Sequence, residues 1–215
     1  MDTADAHGLL NVIDLEATCW DGQPPPGSVS EVIEVGLTVV DLRARERIER
    51  HRILVRPARS VVSAFCTELT GLTQDEVGRS VGFAEACRIL TERHGAGARM
   101  WASRGDYDRH QFTRQCKADA VAYPFGHPAE RHHINAKALF TDAYGLRRRP
   151  GMAQALRLAG LPLEGRHHSG ADDAWNIAAL VLDLVERGAW PFAAEVSCSV
   201  GTGPLLRRGA DAVRR

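Results

Sequence analysis

Apolar and polar positions along the chain predict most of its elements. Leu9, Leu10, Val12 and Ile13 form a short apolar run that reads as a buried strand ending near Glu16. From Glu31 to Asp41 the pattern alternates and then runs apolar through Val35, Leu37, Val39 and Val40, a second strand. Ile48 to Val55 reads as a third, ended by Pro57, and the short connections make the three an antiparallel meander. Between the first two strands, Gln23 to Gly27 is a stiff exposed loop rich in proline.

The pattern then turns helical. Thr67 to Gly71 and Thr73 to Val77 predict short helical turns capped by Thr67 and Thr73. Val81 to His94 places Phe83, Ala86, Cys87 and Leu90 on one face and stops at Gly95. Ala98 to Ala102 is a short fourth strand, Asp106 to Ala118 a helix, and His133 to Asn135 a short fifth strand. Helices follow over Ala136 to Tyr144, Met152 to Ala159 (closed by Gly160) and Ser169 to Gly188. The sum is an α/β domain over residues 9–188: a mixed five-stranded sheet, three strands in a meander plus two short ones, flanked by helices. Residues 1–8 read as a flexible leader and 189–215 as a basic, weakly patterned C-terminal tail.

Length and composition narrow the classes. The 215 residues suit one domain with a sizeable core. No stretch is long and apolar enough to span a membrane, and the N-terminus lacks a basic-then-apolar signal layout, so cytoplasmic residence is the expectation. Five scattered cysteines without a C-x-x-C pair argue against a disulfide framework or structural zinc site. Formal net charge is zero, which gives no global pull toward nucleic acid or membrane. Nearly all the positive charge is arginine, which suits phosphate, although a GC-rich genome produces the same bias and carries more weight.

Candidate chemistry starts at Asp14 and Glu16. Residues i and i+2 of a strand share a face, and two crowded carboxylates stay ionised only with a cation between them. The pair therefore suggests a divalent metal site, the alternative being a strand end with one acid in solvent. Asp106 follows the fourth strand through a turn at Gly105, where ligands collect in α/β sheets; it fits a helix N-cap equally well. On the last helix Asp173, Ile177, Leu180, Val181 and Leu184 form one stripe, so the apolar members carry Asp173 inward. An inward carboxylate is either a ligand or half of a salt bridge with an arginine. Asp172 falls off that stripe. His168, in the loop or first turn beside Asp173, is a candidate base.

Asp14-x-Glu16, Asp106 and His168-x-x-x-x-Asp173, in this order, resemble the DEDDh superfamily of 3′→5′ exonucleases. Residues Ile13 to Cys19, Phe65 to Thr73, Gly105 to Asp108 and His168 to Asp173 are similar to its Eri-type and KapD-like exoribonuclease branch. The resemblance implies a ribonuclease H-like fold and two Mg²⁺ or Mn²⁺ ions, held by Asp14, Glu16, Asp106 and Asp173, with His168 as general base. It also implies that Glu16, Ala17, Thr18, Phe65 and His168 meet the terminal nucleotide, with Phe65 either stacking on its base or packing in the core. Arg104, Arg109, Arg114 and Lys117 either contact phosphates or form a solvated face. The expected activity is trimming of single-stranded RNA 3′ ends to nucleoside 5′-monophosphates. A DNA-directed exonuclease and a silent RNA-binding module are the alternatives. Oligomeric state is left open.

Overall fold

A computed structural model describes residues 8–126 and 132–191. The expected leader, apart from Gly8, the tail beyond residue 191 and Cys198 lie outside these residues. Strands β1 (Leu9–Ala17), β2 (Val32–Asp41) and β3 (Glu46–Arg56) form the antiparallel meander. After α1 (Ala64–Thr70) and α2 (Gln74–Gly78) come β4 (Val81–Gly82), α3 (Phe83–His94), β5 (Met100–Ser103) and α4 (Tyr107–Asp119). The rest is β6 (His133–Asn135), α5 (Ala136–Ala143), α6 (Met152–Ala159) and α7 (Gly170–Glu186). Strand order is β4-β3-β2-β1-β5-β6, with β5 parallel to β1 and β6 parallel to β5.

Two details differ from the sequence reading. The sheet has six strands, because Val81 and Gly82 leave the helical pattern and pair in parallel with Val55 and Arg56. Gly82 is a poor helix former, and it ends the strand as the N-cap of α3. The cap of α1 is Ser63 rather than Thr67: its Oγ accepts from the Cys66 amide at 3.0 Å and donates to the Cys19 carbonyl at 2.6 Å. Thr73 caps α2 as expected, in a capping box with Glu76. Among the described residues Cys19, Cys66, Cys87 and Cys116 are free thiols, and no helix is long and apolar enough to cross a membrane.

Alternation along β1 divides the core in two. Leu10 and Val12 pack with Ile177, Val181 and Leu184 of α7 and with α5 and α6. Ile13 and Leu15 pack on the other side with Phe83, Leu90 and Phe112 of α3 and α4. Each fully buried Leu, Ile or Phe contributes roughly 1.5–3 kcal/mol, so both layers are strongly held. The even positions of β1 face α7, and this puts Asp14 and Glu16 in line with Leu10 and Val12.

Gly36 allows β2 to reach α7. It pairs with Asp14 across the sheet, and a Cβ there would overlap the Gly170 carbonyl and the Ala171 amide. Gly36→Ala is expected to push the start of α7 off the sheet and cost about 3 kcal/mol, the upper end for overpacking. Thermal unfolding would show it; a melting temperature equal to wild type would contradict the close approach.

Candidate active site

β1 and α7 together build an acidic centre. Donor oxygens of Asp14, Glu16 and Asp173 lie within 4.8 Å of one another. Glu16 and Asp173 are 8% and 3% exposed, and crowding at that depth is costly for three anions. Burial raises the Asp14 pKa well above its usual range, and Asp108, Asp173, Glu16 and Glu34 raise it further. Glu16 is pushed up to about 8 by burial and by Asp173, Glu34 and Asp108, with Arg166 opposing. A divalent cation held among these carboxylates would offset their mutual repulsion.

The α4 acid whose charge acts on this group is Asp108, not Asp106. The helix begins at Tyr107, and Asp108, Gln111, Phe112 and Gln115 form its buried face. Asp108 is 5% exposed, and its Oδ1 accepts the Leu15 amide at 3.0 Å, where β1 has run past its pairing with β5. Burial pushes its pKa up to about 6 against hydrogen bonds from Leu15 and Ser103. Asp106 is turned away: its carboxylate, 43% exposed, accepts from Asn135 Nδ2 at 2.8 Å and from Arg109 Nη2 at 3.3 Å. Burial nudges its pKa up, but these partners outweigh it and hold it below the ordinary value. As the N-cap of α4 it starts a turn whose inward direction is reached two residues later.

Glu34 is the second acid that sequence reasoning missed. It sits opposite Glu16 in the β1–β2 register and is fully buried. Its Oε1 accepts the Ala171 amide at 2.9 Å, and its Oε2 lies 3.3 Å from Arg52 Nε. It thereby fastens the first turn of α7, and Asp173 with it, to the sheet.

Two histidines border Asp173. His167 Nδ1 lies 3.0 Å from Asp173 Oδ2, and the His168 amide donates to the same oxygen at 3.0 Å. The two rings stack at 4.1 Å. His168 has φ +62°, a left-handed backbone that costs a non-glycine residue on the order of 1–3 kcal/mol and that the Asp173 hydrogen bond holds. Burial, then the neighbouring His167, hold the His168 pKa below its ordinary value, with Asp173 opposing. Its imidazole is thus neutral at neutral pH and able to accept a proton.

The other expected contacts divide. Phe65 is 39% exposed at the start of α1 and does not pack in the core. The next residue, Cys66, is 3.6 Å through Sγ from the Ala17 carbonyl, which sets this helix against the end of β1. Thr18 is spent internally: its amide donates to the Glu31 carbonyl at 2.8 Å, and its hydroxyl donates to Val29 and accepts from Glu31. Arg104 is half-buried, donates to the Pro150 carbonyl at 2.8 Å, and feels the charges of Asp14 and Asp173. Arg109 is committed to Asp106, Arg114 to the Ser30 carbonyl and Gln111, and Lys117 is exposed.

The arrangement has clear relatives. A family model for exonucleases, RNase_T, matches residues 12–181. Human 3′-5′ exoribonuclease 1 is 30% identical over 191 residues, covering 85% of this chain and 54% of that protein. The Drosophila melanogaster 3′-5′ exonuclease Snipper is 29% identical over 205 residues, covering 85% of this chain and 71% of its own. The crystallographic structure of the nuclease domain of 3′hExo, a DEDDh family member, bound to rAMP, superposes with a TM-score of 0.76 at 28% identity. That match covers 85% of this chain and 94% of the other. The chain spans about half the length of the mammalian exoribonuclease 1 proteins it matches.

Proposed function

The chain belongs to the RNase_T family of exonucleases, in its DEDDh branch, and on that premise we propose that it trims single-stranded RNA from the 3′ end. Its products would be nucleoside 5′-monophosphates, and residues 9–188 would be the catalytic unit. The observation that carries this reading is the convergence of Asp14 with the buried Glu16 and Asp173, within the field of the buried Asp108 of α4.

An all-oxygen donor set suits Mg²⁺ or Mn²⁺ rather than zinc. Asp14, Glu16, Asp108 and Asp173 would hold the ions, which supply charge to the phosphoryl oxygens and lower the pKa of attacking water. His168 accepts that water's proton at its imidazole. Asp173 holds the loop in place through the His168 amide, and Glu34 holds Asp173's helix. Phe65 offers an exposed ring beside the end of β1 for the terminal base, and the Ala17 backbone lies against the same helix. Ala17 and Thr18 would lie near the 3′ sugar through the backbone after Glu16, the Thr18 hydroxyl being committed to Val29 and Glu31.

RNA is the favoured polymer because the human relative is named an exoribonuclease and the superposed nuclease domain is described as bound to rAMP. Matched single-stranded RNA and DNA, labelled at the 5′ end, test this with Mg²⁺ and with Mn²⁺. Stepwise shortening of RNA with release of monophosphates, lost on chelation, is the expected result. Faster shortening of DNA would make the protein a DNA exonuclease. Binding of RNA without metal-dependent release of monophosphates would make it a silent module.

A further inference from the structure

A second cluster of metal-ligand side chains lies on the opposite face of the sheet. Glu49 and His51, two residues apart on β3, point toward α3, where His94 is the last helical residue. Donor atoms of the three lie within 4.8 Å of one another. His51 Nε2 is 2.7 Å from Glu49 Oε2, and the His51 and His94 rings are 4.3 Å apart and tilted by 52°.

His94 is the unusual member. It is only 7% exposed, yet its Nδ1 has no hydrogen-bond partner. A buried ring nitrogen left unpaired is unfavourable, and native structures rarely tolerate one without a reason. The residue is held firmly, since its carbonyl accepts from Asn11 Nδ2 at 3.0 Å and from Arg99 Nη1 at 3.2 Å. Two imidazoles and one carboxylate are a donor set for zinc-class ions and a poor one for Mg²⁺ or Ca²⁺. The positive charges of Arg93 and Arg99 nearby also disfavour an ion held by field strength alone. A cavity of about 440 Å³, bounded by His51, Arg93, His94, Ser80, Leu54 and Ile89, adjoins the cluster and leaves room for a fourth ligand such as water.

We propose that Glu49, His51 and His94 form a binding site for a zinc-class transition-metal ion, separate from the acidic centre at the end of β1. The ion ties β3 to the C-terminal end of α3, two elements otherwise joined there by ring contact, and leaves one position open to water. Its effect on the molecule is stabilisation of this edge by binding to the folded state alone.

The test uses the full chain carrying Asp14→Asn and Asp173→Asn, with excess Mg²⁺, so that the acidic centre and its histidines do not capture zinc. Calorimetric titration with zinc chloride is expected to show one ion per chain. His51→Gln in this background should weaken binding by at least about tenfold, and Glu49→Gln should weaken it less. Cobalt substitution should give a visible spectrum without thiolate absorption, and zinc should raise the melting temperature only when His51 is present. His51 is partly exposed, so its replacement leaves the core intact, which circular dichroism verifies. No stoichiometric binding, or equal affinity in the His51→Gln chain, overturns the proposal.

Discussion

Asp108→Asn is expected to remove nucleolytic activity, while Asp106→Asn keeps most of it. Asparagine at position 108 retains an oxygen that can accept the Leu15 amide, now at 3.0 Å from Asp108 Oδ1, so the start of α4 should stay on β1. What disappears is the charge that acts most strongly, after burial, on Asp14. A carboxylate lost from a metal-binding group forfeits several kcal/mol of transition-state stabilisation, and the expected fall in single-turnover rate is at least about 10³-fold. Asp106 stands outside that field. Its carboxylate is nearly half exposed and tied to Asn135 and Arg109, so its loss should change the rate by less than about tenfold. Rates on labelled RNA with excess Mg²⁺ separate the two variants. If Asp106→Asn is the inactive one and Asp108→Asn cleaves normally, the fourth acid is Asp106, and the protein must rearrange when metal binds.

What was legible in the sequence follows from periodicity. Alternation in β1 placed Asp14 and Glu16 on one face, and the stripe from Asp173 to Leu184 turned Asp173 inward; all three side chains are where those periods put them. The same rule would have found Asp108, which precedes the core residue Phe112 by four positions. It lost to a different signal, the acid next to Gly105 in the turn, and a turn residue is positioned by its backbone rather than by a buried face. Glu34 was illegible for another reason. It lies inside an apolar run, and its meaning comes from facing Glu16 across two strands, a register that one strand's pattern does not encode. Where the Thr18 hydroxyl goes is not legible either: a threonine beside a motif reads the same whether it faces a ligand or, as here, the loop at Val29 and Glu31. The sixth strand escaped because two residues carry no period at all.

Magnesium or manganese should raise the melting temperature of metal-free protein, and more at about pH 8 than at about pH 5. The sign comes from Glu16, whose folded pKa rises from 4.5 to about 8. Between those values the folded chain holds a proton that the unfolded chain has released, so stability falls as pH rises through this window. At about 1.4 kcal/mol per pKa unit, the full penalty above pH 8 is on the order of 5 kcal/mol. Asp108, pushed up to about 6, acts in the same direction over the lower part of the range. His133 opposes them: burial, then Arg109, lower its pKa to about 4, so its contribution is lost as pH falls and gained as pH rises toward 6.5. The total slope therefore mixes signs, and the difference between wild type and Glu16→Gln isolates the acidic centre. Without metal, Glu16→Gln should melt roughly 10–20 °C above wild type near pH 8 and close to it near pH 5. With metal the order reverses, because the wild-type carboxylate ligates the cation and releases its proton, whereas the glutamine amide offers no anionic ligand. Scanning calorimetry with chelator and with Mg²⁺ across this range reads both effects. Equal melting of the two metal-free proteins near pH 8 would mean that Glu16 carries no buried-charge penalty, and the electrostatic case for a cation at this centre would fail with it.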